Sequence, residues 1–364
     1  MSLYLHGLGT AVPPGRITQE EGLATARVLS GPEIREVSWL RAVYAHSGIV
    51  TRYQVLGREL VDDLLLGKQT TGSPFLPGAE FGPSTGERMR IYASEAPELA
   101  VRAAAKALDA AQFPPESIAQ LITVSCTGFA APGVDRRLIE DLKLRPTVER
   151  THLGFMGCHG ALNGLRVANA FARANPNDRV LLCAVELCSL HYHYGNDADK
   201  AVANAIFADG AAAVVGSGER ESQHGWRIAA TGSCLIPNST EAMHWRIGDH
   251  GFEMGLSRQI PKLIAQHLRP WIETWLGDQS LRLEDIRSWA IHPGGPKILA
   301  AVEESLTLSA EDSRPSRSLY AEFGNMSSPT VLFILERLRE AGAPRPCVAL
   351  GFGPGLVAEA VLFC

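Results

Sequence analysis

Two stretches of this chain repeat the same order of local signals about half a chain apart, and that repetition limits the fold more than any other feature. Glu116-Ser117-Ile118 leads into an apolar run over 118–124, and Glu284-Asp285-Ile286, a step of 168, leads into Trp289-Ala290-Ile291. The first run ends in the small turn Cys126-Thr127-Gly128, the second in His292-Pro293-Gly294-Gly295. Further on, Cys158 and Asn325 lie 167 positions apart, each at the head of a helical pattern (158–174 and 327–339). Each pattern is followed by another apolar run, over 180–185 and 348–350. Helices are expected ahead of both units, an Ala-rich amphipathic one over 93–111 and a second over 260–276. Two anchors that agree within one residue predict an internal duplication. The expected fold is α/β, with two related halves, 1–215 and 216–364, facing each other across a pseudo-dyad. Ligands of such sheets sit beyond the carboxyl ends of strands, where helix N-termini converge. Cys158, His292 and Asn325 all fall at such places.

The rest of the chain fits around these units. Residues 3–11 alternate as a strand and stop at Val12-Pro13-Pro14-Gly15; 17–46 is helix-compatible; 67–86, rich in Gly, Pro, Ser and Thr, reads as a long surface loop. With 364 residues, 46% of them apolar and 20% charged, the chain has material for a large buried core. The formal charge of −5 and the lack of a basic stripe argue against a nucleic-acid partner. No signal peptide is read at Met1–Gly7, and no apolar run approaches the roughly 20 residues of a membrane helix. Seven cysteines, an odd number thinly spread, are expected as free, mostly buried thiols of a cytoplasmic protein.

Three residues carry the candidate chemistry. Cys158 stands between glycines in Gly154-Phe155-Met156-Gly157-Cys158-His159-Gly160-Ala161, at a helix start whose partial positive charge favours a thiolate. His292 follows an apolar strand and precedes a rigid Pro-Gly-Gly-Pro loop; Asn325 sits in Glu322-Phe323-Gly324-Asn325-Met326-Ser327-Ser328-Pro329. Alone, each has a plain structural reading: a packed turn, a histidine after a strand, a helix cap. Together, a cysteine, an imidazole and an amide on Gly-rich turns make a site for nucleophilic acyl chemistry. A metal-binding reading rests on Cys183, Cys188, His191 and His193, but their spacing matches no standard zinc pattern and strand alternation separates Cys183 from Cys188.

The phrases Gly157-Cys158, Ile291-His292-Pro293-Gly294-Gly295-Pro296, Gly324-Asn325-Met326-Ser327-Ser328 and Gly351-Phe352-Gly353-Pro354-Gly355 resemble the signatures of the chalcone synthase superfamily. The wording of Glu186-Leu187-Cys188-Ser189-Leu190-His191 is closest to bacterial type III polyketide synthases. The resemblance implies a thiolase-like, five-layered αβαβα fold, a homodimer, and direct use of acyl-CoA and malonyl-CoA without carrier protein or cofactor. It implies that Cys158 takes the starter acyl group while His292 and Asn325 hold the malonyl thioester carbonyl. It also assigns substrate contacts: Phe207 as a gatekeeper, with Ser327 and the loop Gly351, Phe352, Gly353, Pro354 and Gly355 on the cavity wall. Where plant enzymes have a second gatekeeper phenylalanine, a pocket glycine and two threonines, this chain has Met254, Trp245, Cys188 and His191. Ala131 replaces a methionine that reaches across the dimer. These departures point away from an aromatic starter and a chalcone product, and the resemblance to bacterial members implies an aliphatic starter with a pyrone or resorcinol product. The nearest rival is a β-ketoacyl carrier-protein synthase III performing a single condensation.

Overall fold

In the computed structural model, which describes residues 2–30, 38–78, 80–195, 197–219 and 225–364, the apolar runs become strands of a nine-stranded sheet. The first half runs β1 (Tyr4–Ala11), β2 (Gly15–Thr18), α1 (Gln19–Leu29), α2 (Ser38–Ala45), β3 (Thr51–Gln54), α3 (Gly57–Leu66), α4 (Thr85–Ala111), β4 (Ile118–Ser125), α5 (Val134–Leu142), β5 (Glu149–Gly154), α6 (Gly160–Ala174), β6 (Arg179–Leu187), α7 (Ala198–Ile206) and β7 (Asp209–Ser217). The second half runs β8 (Trp226–Leu235), β9 (Met243–Gly248), β10 (Gly251–Leu256), α8 (Ile260–Gly277), β11 (Ser288–Ile291), α9 (Pro296–Leu306), α10 (Ala310–Phe323), α11 (Thr330–Glu340), β12 (Cys347–Gly353) and β13 (Val357–Phe363).

The strand directions make the duplication visible. In the first half the order is β5-β4-β6-β7-β1, with β4 and β6 parallel and the next two pairs antiparallel. The second half repeats it as β11-β12-β13-β8, with β11 and β12 parallel and the next two pairs antiparallel. The halves join edge to edge where Tyr4 and Leu5 of β1 face Arg227 and Trp226 of β8. The start of β6 at Arg179 and of β12 at Cys347 repeats the step of 168.

Packing turns this sheet into layers. α6 and α11 lie between the halves, and their apolar faces share one core with Val180, Leu182 and Ala184 of β6 and Ala349 of β12. The alternate residues Leu181, Cys183 and Val185 face outward and pack under α4 and α5. On the far side Val348, Leu350 and Phe352 pack under α8 and α9. The result is the expected five-layered αβαβα, thiolase-like arrangement. The Ala-rich face of α4 has a reason at β1: a Cβ on Gly7 would fall 2.0 Å from the Ala107 carbonyl oxygen, and one on Gly9 2.4 Å from the Ala107 nitrogen. Helix and strand therefore approach at a distance only Gly and Ala permit.

Boundaries differ from the sequence reading in a few places. α4 begins at Thr85, not 93, because Ser84 and Glu87 form a capping box; Pro97 is carried inside the helix. The span 17–46 divides into the end of β2, α1 and α2, with 31–37 outside the described residues. α6 and α11 start two and three residues later than read, at Gly160 and Thr330. Among the described residues no helix is long and apolar enough to cross a membrane.

Candidate active site

The turn ahead of α6 presents Cys158. Gly157 adopts φ +78°, and a Cβ there would fall 2.4 Å from Pro354 Cδ, so the loop after β12 sits directly on this turn. Cys158 is buried, and the Ser327 hydroxyl donates to its sulfur at 3.5 Å. The same hydroxyl lies 3.5 Å from Cys126 Sγ. Ser327 is held in a left-handed conformation (φ +57°), its N–H donating to Asn325 Oδ1 at 2.8 Å. Asn325 thus closes a side-chain turn of its own, while Pro329 occupies the N-cap of α11; the helix-cap reading of Asn325 does not hold.

Asn325 is fixed by its backbone as well. Its N–H donates to the Ile206 carbonyl and its carbonyl accepts from Ala208 N–H, both at 2.9 Å, making a single strand bridge beside Phe207. Phe207 is half-buried at the end of α7. His292 follows β11, where its N–H donates to the Leu350 carbonyl at 2.8 Å. Its ring is buried, and neither nitrogen has a hydrogen-bond partner among the described residues.

Burial governs the charge state of these groups. It pushes the Cys158 thiol up to about 11, with Glu186 adding to the rise and hydrogen bonds from Ser327 and Asn325 opposing it. Burial, and the nearby His159, hold the His292 imidazole down to about 3. Desolvation therefore outweighs the helix-end charge that favours a thiolate. Both shifts favour the uncharged forms, the thiol at Cys158 and the imidazole at His292.

One cavity is lined by Cys158 together with Phe207, Met254, Trp245, Cys188, His191, Ser327 and Pro354. Its volume is about 40 Å³, room for a few water molecules. Trp245 and Met254 face each other across the β9–β10 hairpin, and Trp245 Nε1 donates to the Cys126 carbonyl at 2.7 Å. His191 is a fixed wall: Nε2 donates to the Thr127 carbonyl at 2.7 Å, Nδ1 accepts from Phe252 N–H at 2.9 Å, and the ring stacks on Phe252 at 4.2 Å. Burial keeps it neutral, held down to about 3. Of the Gly351–Gly355 loop only Pro354 reaches the cavity. Phe352 points into the outer core beside Leu350, Gly351 and Gly353 pack on His159, and the Gly355 carbonyl accepts from Ser239.

Some residues of this site were not singled out from the sequence. Glu186, fully buried at the end of β6, accepts from Cys126 N–H at 2.9 Å, Thr127 Oγ1 at 2.7 Å and Ser328 Oγ at 2.7 Å. It ties the turn after β4 to the turn before α11. A glutamate ending the apolar run Leu-Leu-Cys-Ala-Val was the signal. Cys126 and Thr127 line the cavity from the strand end where ligands of such sheets gather. Arg52, Asn204 and Phe252 also line it, and no local pattern marked them. Cys183 faces α4, its sulfur 3.7 Å from the Ala100 carbonyl, so it does not join Cys188 and His191 in a ligand set.

Comparison with known proteins agrees over the whole chain. Family models described as chalcone and stilbene synthases match residues 3–219 with their N-terminal domain and 227–364 with their C-terminal domain. An alpha-pyrone synthesis polyketide synthase-like protein, Pks18, of Mycobacterium tuberculosis is 32% identical over 99% of this chain and 90% of its own. A 1,3,6,8-tetrahydroxynaphthalene synthase of Streptomyces peucetius is 33% identical over 97% of this chain and 90% of its own. Among solved structures, PKS-I of the brown alga Ectocarpus siliculosus superposes with a TM-score of 0.92 at 32% identity, covering 100% of this chain and 98% of that one.

Proposed function

The chain belongs to the chalcone and stilbene synthase family, as a bacterial-type type III polyketide synthase, and from that premise we propose that it condenses malonyl-CoA repeatedly onto an aliphatic acyl starter bound to Cys158. Enzymes of this family are acyltransferases that use acyl-CoA and malonyl-CoA. The observation that carries the reading is the buried group of Cys158, Ser327 and Asn325, of which Cys158 and Ser327 line a cavity together with Phe207.

Loading begins as the Cys158 thiol attacks the acyl-CoA carbonyl; His292 takes the proton and CoA thiolate leaves. Malonyl-CoA then loses CO₂, and the electron pair left on its α-carbon delocalises to the thioester oxygen. His292, whose ring nitrogens bond to nothing else among the described residues, and the Asn325 amide donate to that oxygen. The enolate carbon attacks the Cys158 thioester carbonyl and expels the thiolate, giving a chain longer by two carbons. Because His292 is held down to about 3, decarboxylation should stay level as pH falls through the ordinary histidine value of 6.5. Stopped assays of CO₂ release across pH check this; a limb near 6.5 would mean that a different environment governs the imidazole.

The narrow cavity supports a slim starter. Trp245 and Met254 stand in its wall, and Met254, unbranched and half-buried, can adapt its shape to an acyl chain. Trp245→Ala removes the largest wall residue and should shift starter preference toward bulkier acyl-CoAs by tenfold or more. Competition between short, long and aromatic acyl-CoAs, read by product mass, measures it; an unchanged ratio would take Trp245 out of starter selection. The product is proposed as a pyrone or resorcinol, formed without carrier protein by a cytoplasmic homodimer. Phe129 and Met156, 46% and 37% exposed beside Phe155, offer an apolar surface for the second copy. The test of the whole reading is mass spectrometry of products from pure protein, malonyl-CoA and acyl-CoAs. Starter plus several two-carbon units supports it. Reaction only with malonyl-carrier protein, and only once, moves the chain's activity to a synthase III type.

A further inference from the structure

Arg52 is 5% exposed at the cavity wall, yet its guanidinium pairs with no carboxylate among the described residues. Asp209, the buried acid whose ionisation it favours, takes the N–H groups of Val55 and Ser189 instead. Arg52 Nη1 donates to two backbone carbonyls, those of Asn204 and, at 2.9 Å, Phe207. Both belong to the end of α7, where carbonyls lack helical partners and a cation is favoured.

The residues flanking Arg52 hold a second element. Val50 N–H donates to the Ala321 carbonyl and Thr51 Oγ1 to the Glu322 carbonyl, each at 2.7 Å, fixing the end of α10. Gly324 follows at φ +72°, where a Cβ would lie 3.3 Å from Arg52 Cβ and 3.1 Å from the Ile206 carbonyl oxygen. The ends of α7 and α10 are then joined to each other by the bridge between Asn325 and residues 206–208. Segments 50–52, 206–208 and 321–325 therefore form a closed triangle with Arg52 at one corner.

We propose that Arg52 is a positioning residue for malonyl decarboxylation: by clamping the end of α7 it sets, across the Phe207–Asn325 bridge, where the Asn325 amide stands relative to Cys158. The proposal rests on the role given to Asn325 above. A lysine keeps the charge, but its ammonium sits on a flexible four-carbon stem and lacks the rigid planar group that holds Nη1 against both carbonyls.

The experiment compares Arg52→Lys, Asn325→Ala and the double variant in two half-reactions: starter loading on Cys158, read by intact mass, and malonyl-CoA decarboxylation. Arg52→Lys should slow the decarboxylation kcat by roughly ten- to a hundredfold, the cost of about 1 Å misplacement, with KM and loading within about twofold. The double variant should be no slower than Asn325→Ala alone. Gly324→Ala, pushing the same bridge from its other side, should reproduce the split between half-reactions and serves if Arg52→Lys does not fold. Losses that multiply in the double variant, or that strike loading and decarboxylation together, would overturn the proposal while leaving Asn325 in place. An Asn325→Ala enzyme that decarboxylates normally would instead remove the reading on which it rests.

Discussion

Cys158→Ala is expected to abolish condensation, by something on the order of 10⁶-fold, the loss seen when a nucleophile is deleted from an acyl-transfer site. The chain should stay folded. Cys158 is already buried in a preformed turn whose shape comes from Gly157 and Pro354, and the sulfur's contact with the Ser327 hydroxyl is long for a stabilising bond. Losing one buried sulfur should cost about 1 kcal/mol, as other small truncations in cores do. Decarboxylation of malonyl-CoA should continue within about tenfold, because the proposed enolate donors, His292 and Asn325, are untouched. Product mass spectrometry and CO₂ release on the same preparation separate the two steps. Turnover to extended products by this variant would refute the thioester mechanism outright.

Asn325→Ala is expected to slow decarboxylation by roughly 10²–10³, the usual effect of removing one donor to a developing oxyanion. This residue does two things, and the measurement has to separate them. Its amide oxygen accepts from Ser327 N–H at 2.8 Å and so shapes the turn that carries the Ser327 hydroxyl to Cys158. Alanine removes that acceptor and leaves a buried N–H without a partner, at a cost of about 1–3 kcal/mol. Asn325→Asp keeps the acceptor and loses the amide donor. If the aspartate variant is as slow as alanine but melts like the parent, the donor is what matters. If it restores the rate, the turn is what matters and the enolate role fails.

Much of this architecture was legible because apolar periodicity survives in the chain. The runs over 118–124, 180–185 and 348–350 are cores of β4, β6 and β12, and the repeat step of 168 reappears in the strand starts. Helix starts were read early or late where a turn or cap decides them. Gly157 and Ser327 at positive φ delay α6 and α11, while the Ser84–Glu87 capping box advances α4. The site was legible in its parts but not in its environment. The residue types at 158, 292 and 325 suggested acyl chemistry, and the helix start favours a thiolate, while desolvation, which depends on the assembled layers, pushes the Cys158 thiol up. Phe352 belonged to a family phrase, but strand alternation sends it to the outer core with Leu350. Arg52 had no signal at all, since its partners are backbone carbonyls about 150 residues away, which residue types do not encode.

The repeat also says something about how such a site can change. Cys158 and Asn325, 167 positions apart, stand ahead of corresponding helices in the two halves, and the proposed mechanism gives them different tasks. In a pair of identical chains every substitution is made twice, and a cysteine gained on one side would be gained on the other. Two halves of a single chain are free of that obligation. On the proposed roles one side is the seat of attack and the other the holder of negative charge, an asymmetry that no arrangement of identical subunits can inherit.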